Sequence, residues 1–154
     1  MLAPLTLAPP AGFVTDEVVT TWRLPAEPAP LKDPKVMQFQ AAVRPNLVAV
    51  QRRVAPGTTV AELGAQTCAE LARHVEGLSP IETTAFTFQD GSAGVMLRYT
   101  MPVHQRFSVA QLQALRIDGD VSTLLTLSTE ASRLDDATLK AYVACLAAAT
   151  VAPR

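Results

Sequence analysis

The sequence is poor in the residues that carry out chemistry. Its 154 residues include two histidines, two cysteines, one tryptophan and seven glycines. His74 falls at the end of a helical pattern and His104 in a turn, and neither belongs to an HExxH-type motif. Cys68 and Cys145 each lie within a helical pattern at a spacing that fits no zinc motif, so both read as small buried hydrophobes. Spacing alone does not decide whether they are bridged. The Pro56-Gly57 turn before a helix looks at first like a phosphate loop, but it has one glycine and no lysine where GxxxxGK[ST] is needed. The acidic residues scatter through turns, caps and helix faces without EF-hand spacing, so neither a metal nor a cofactor is expected.

Excess charge and long apolar runs are missing too. The formal net charge is −1 and Arg52-Arg53 is the only adjacent basic pair, so the electrostatic footprint of a nucleic-acid binder is absent. The longest apolar run, ACLAAATVA, falls well short of the ~20 residues of a spanning helix, which argues against direct membrane insertion. The start, MLAPLTLAPPAGF, lacks a basic leader and is broken by Pro4, Pro9 and Pro10, so the expected location is the cytoplasm.

What is present suits one folded domain, 1–154, with residues 1–12 as an irregular arm. The apolar fraction is 49% and aromatics are 5%, which implies a core of Val, Leu and Ala. Strands are expected at 17–25, 35–43 and 47–54, with 35–43 and 47–54 forming a hairpin about a turn at 44–46 or, as the alternative, one bent strand. KVMQFQAAV alternates Met37, Phe39, Ala41 and Val43 against Gln38 and Gln40. A helix follows over about 60–75, opened by Thr59 and Glu62 at capping-box spacing and closed before Gly77. Strands at 81–88 and 95–101 flank the hairpin signal Asp90-Gly91, and strands at 106–117 and 121–129 flank Asp118-Gly119-Asp120. A second amphipathic helix covers about 134–149. The fold class is therefore α+β: an antiparallel sheet of about six to seven strands with two helices on one face.

No catalytic set emerges. DGSAG resembles a nucleophile elbow only in spelling, because its serine follows a hairpin glycine and does not sit at a strand-to-helix turn. The feature that stands out is a polar, weakly charged strand side. Gln38, Gln40, Met96, Arg98, Thr100, Leu124 and Thr126 are expected to share the sheet face away from the helices, with the register of Gln111 and Gln113 open. Such a face can hydrogen-bond and also accept apolar groups, and methionine re-packs around varied partners.

Three segments carry a family likeness: VQRRVAPGTTVAELGAQTCAEL (50–71), FTFQDGSAGVMLRYTM (86–101) and LRIDGDVSTLLTLSTEASRLDDATLKAYVACLAAA (115–149), joined by GFVTDEVVTTWRLP (12–25). In order and spacing they resemble the DcrB-related family with its PsbP-like α/β sandwich, and most of all the Eag chaperones of type VI secretion. The resemblance implies a cytoplasmic, non-catalytic homodimer. Its partner would be a secreted effector, whose apolar N-terminal helices it would bind and shield before export. The alternative is a small-molecule-binding or enzymatic domain with a pocket between sheet and helices, Arg98 and Tyr99 standing at its rim.

Overall fold

The computed structural model describes residues 5–11, 14–15, 21–23, 45–104 and 107–151. In chain order these form β1 (Leu5–Thr6), β2 (Val14–Thr15), β3 (Thr21–Arg23), β4 (Asn46–Arg53), α1 (Val60–His74), β5 (Glu82–Thr87), β6 (Ala93–His104), β7 (Phe107–Asp118), β8 (Val121–Glu130), α2 (Asp136–Ala147) and β9 (Thr150–Val151). Seven strands make one antiparallel sheet in the order β2-β3-β4-β8-β7-β6-β5. The meander β5 to β8 is its centre, and β4 joins on the far side of β8. The expected strand over 106–117, which its leucines could have made helical, is β7. The expected strand over 35–43 and the first residue of the 44–46 turn lie outside the described residues, and Asn46 already belongs to β4.

Local chemistry sets the boundaries. Thr59 accepts from the Glu62 N–H at 3.2 Å, and Glu62 accepts from the Thr59 N–H at 2.9 Å, so both halves of the capping box are made. Those bonds hold the Glu62 carboxyl below its ordinary pKa. Asp135 caps α2 by accepting from the Thr138 N–H at 2.7 Å. The β7–β8 hairpin closes on Gly119-Asp120, with Gly119 at φ +65°.

Two expectations are corrected. First, α1 and α2 pack on opposite faces of the sheet. Val60, Leu63 and Cys68 of α1 meet Val95, Leu97 and Leu115, whereas Leu139, Tyr142, Val143 and Leu146 of α2 meet Leu47, Ala114, Leu125 and Leu127. The physical reason lies in the central strands, where both alternating sets carry buried apolar residues. Val95 and Leu97 are buried on one side and Met96 on the other, and from Val109 to Arg116 only Gln111 is more than marginally exposed. A strand buried on both sides needs a cover on each. Second, residues 1–12 do not form a wholly irregular arm. Leu5–Thr6 pairs with Thr150–Val151, and Leu5 and Leu7 pack on the α2-side core.

A buried arginine fastens the α2 side. Arg116 is 1% exposed and donates to Asp118 twice at 2.7 Å, to Asp90 at 2.8 Å, to Ser92 Oγ at 2.9 Å and to the Ala149 carbonyl at 3.0 Å. Its guanidinium also lies 4.8 Å from the Phe88 ring centroid. Two hairpin tips and the segment after α2 therefore meet on one charge. Asp118 and Asp90 raise the pKa of Arg116 further, and the Arg116 bond is the main cause that lowers Asp90 to about 2.

Candidate functional site

α1 covers only half of its face. It settles over β6 and β7, where Gly64 permits a close approach: a Cβ there would stand 3.2 Å from Val95 Cγ1. Over β4 and β8 the same face carries Val48, Val50, Leu124 and Thr126, all half-buried. Between α1 and this strip runs a half-open groove of about 500 Å³. Val50, Leu115 and Leu124 line its floor, and Leu63, Thr67 and Leu71 its helical wall. Arg52, Glu70 and His74 also border it, as does Arg53, which pairs with Asp120.

Beside the groove lies a row of polar side chains on the same face. Gln113 Nε2 donates to the Tyr99 hydroxyl at 3.0 Å, Tyr99 donates to Gln111 Oε1, and Gln111 Nε2 donates to Ser128 Oγ at 2.9 Å. Tyr99 is 2% exposed, and burial pushes its pKa up to about 12, so it stays a neutral donor. Tyr99 has one proton to give and gives it to Gln111. It therefore accepts from Gln113, which spends Gln113 Nε2 and leaves the other prong of that amide. Gln113 is 6% exposed, lines the groove, and its Oε1 has no hydrogen-bond partner among the described residues.

The anticipated binding residues do not share one face. Leu124 lines the groove and Thr126 adjoins it, standing between Gln113 and Val48 in register. Met96, Arg98 and Thr100 point to the α2 side, because they fall on the other phase of β6. Met96 is 7% exposed within the core. Arg98 is exposed across from Glu82. The Thr100 backbone is tied to Ser79, its N–H to Ser79 Oγ at 2.8 Å and its carbonyl to the Ser79 N–H at 2.9 Å. Gln38 and Gln40 lie outside the described residues. Arg98 and Tyr99 do not form one pocket rim either, since they are adjacent in a strand and face opposite ways.

Val48 and Val50 were missed as site residues, and Gln113 was left open although a signal for its register existed. The two-residue β7–β8 loop pairs Asp118 with Val121. Counting five back and five forward sets Gln113 against Thr126, on the phase of Leu124. Among the described residues no group of three His, Cys, Asp or Glu could hold a metal ion, and no helix is long and apolar enough to cross a membrane.

No family model and no curated protein matches this chain. Solved structures share its architecture. PA94 of Pseudomonas aeruginosa, a protein of unknown function, aligns with a TM-score of 0.61 at 16% identity, over 92% of this chain and 86% of its own. LpqN of Mycobacterium tuberculosis, involved in cell envelope biogenesis, gives 0.64 at 14% identity, over 97% and 83%. The cyanobacterial PsbP of Synechocystis gives 0.62 at 15% identity, over 96% and 86%. At such identities the likeness is one of fold, and the fold is PsbP-like.

Proposed function

We propose that this PsbP-like chain is a non-catalytic chaperone of the DcrB-related, Eag type. It binds the apolar N-terminal helices of a type VI secretion effector in the cytoplasm, as a homodimer, and shields them until export. The observation that carries the reading is the strip of Val48, Val50, Leu124 and Thr126 beyond α1, bordered by Gln111, Gln113 and Ser128. An apolar helix of ~20 residues aggregates in water. A sheet face that mixes branched aliphatic, hydroxyl and amide groups removes apolar area from water and also offers the polar contacts that membrane helices make with each other. The motif order at 50–71, 86–101 and 115–149 supports the family reading.

The test is capture of partners by the tagged protein from its native cells with the secretion system expressed, repeated with Leu124→Glu and Arg98→Glu. The expected result is a stoichiometric large partner with apolar N-terminal helices, lost with Leu124→Glu and kept with Arg98→Glu. Recovery of the bare protein, or loss with Arg98→Glu alone, defeats the reading and its choice of face.

A further inference from the structure

The groove beneath α1 shares Val50 and Leu124 with the strip that would hold a client helix, but its size and its helical wall set it apart. A helix of 20 residues is about 30 Å long and about 10 Å wide, a cylinder of about 2,400 Å³. The groove holds about 500 Å³, the size of a small-molecule pocket. Branched aliphatic side chains supply most of its surface, with Thr67, Gln66 and Ser122 among them, so its occupant is mainly apolar. The charged residues at its border are of both signs: Arg53 is answered by Asp120, and Arg52 and Glu70 both line the groove. An ionised ligand gains little there, and an uncharged one loses nothing.

The polar requirement comes from Gln113. Its Oε1 is shut off from solvent and, among the described residues, has no donor, a state that an apolar setting makes costly. Gln113 lines the groove and the terminal torsion of a glutamine is soft, so a donor bound in the groove can meet this carbonyl. We infer that the α1 groove binds an uncharged, mainly apolar small molecule bearing one hydroxyl or amide N–H, which donates to Gln113 Oε1.

Octanol and methoxyheptane test this, since they have equal numbers of heavy atoms and differ in the donor. Their affinities are measured by ligand-observed NMR on the intact chain. Octanol is expected to bind about fivefold tighter, the discrimination of one neutral hydrogen bond. Gln113→Met keeps the volume and removes the carbonyl, and it should bring the two ligands to within about twofold. Equal binding to the unaltered chain overturns the inference, whether because water already serves the carbonyl or because the amide row runs the other way and presents an N–H. Binding of neither ligand, or a preference that survives Gln113→Met, overturns it as well.

Thr67→Trp, placed on the helical wall, fills the groove. A variant that still melts cooperatively should lose octanol and keep effector capture. Loss of both assigns the groove to the client segment and overturns the small-molecule assignment. Octanol selectivity retained in a protein that captures no effector supports the groove and removes only the chaperone reading.

Discussion

Arg116→Met gives the sharpest test of what holds the sheet to its α2 cover. The substitution keeps the aliphatic stem and removes a guanidinium that satisfies two carboxylates, a serine hydroxyl and the Ala149 carbonyl. Removing one partner of a buried ion pair costs about 3–5 kcal/mol, because the other charge is left uncompensated. Here the stranded side chains of Asp90 and Asp118 are 28% and 26% exposed, so water takes up part of the loss and the lower end, about 3 kcal/mol, applies. For a chain of this size that lowers Tm by roughly 6–12 °C.

The pH dependence follows in sign. Asp90 is depressed from 3.8 to about 2 in the folded state, so its contribution is complete above about pH 4 and is lost as pH falls through about 2. Thermal melts from pH 7 down to pH 2 should show a steep acid loss in the parent and a shallower one in Arg116→Met. The variant that also carries Asp90→Asn and Asp118→Asn should recover part of the stability, since no charge is then left unpaired. A single variant within about 2 °C of the parent, or a triple variant no better than the single one, refutes the reasoning.

Four further outcomes are expected. Gly94→Ala places a Cβ 2.5 Å from Phe88 Cε2 and 2.6 Å from the Leu115 carbonyl oxygen, and urea melts should show a loss of at least about 2 kcal/mol. Thr59→Ala removes the capping box of α1 and should cost about 1 kcal/mol, with faster hydrogen exchange confined to the first-turn amides. Cys68 and Cys145 are free and sit on helices on opposite faces of the sheet, so diamide should form no intramolecular bridge, read by mass spectrometry. Burial raises the Cys145 thiol and its Sγ bonds the Ala8 carbonyl at 3.2 Å, so its alkylation should demand a higher pH than a free thiol.

Local order was legible residue by residue. The capping box at Thr59 and Glu62, the turns at Asp90-Gly91 and Asp118-Gly119-Asp120, and the alternation Val95, Leu97, Tyr99 each act within a few residues of chain, so the sequence alone determined α1, α2 and the four-strand meander. It also determined that Met96 and Val95 face opposite ways, since the period of a strand is two. Which helix takes which face depended on contacts across distant segments. Both phases of β6 and β7 carry apolar residues beside polar ones such as Arg98 and Gln111, and that pattern is as compatible with one thick cover as with two thin ones. Only the tertiary structure decided between them, bringing α1 down on Val95 through Gly64 and α2 onto Leu125 and Leu127. The same holds for Arg116, one basic residue at the end of a strand in the sequence, which becomes the buried hub of two hairpin tips. It holds too for Gln113, whose free carbonyl exists because Tyr99 and Gln111 on neighbouring strands consume the other groups of the row. Hydrogen-bond satisfaction is counted in space, and no spacing along the chain records it.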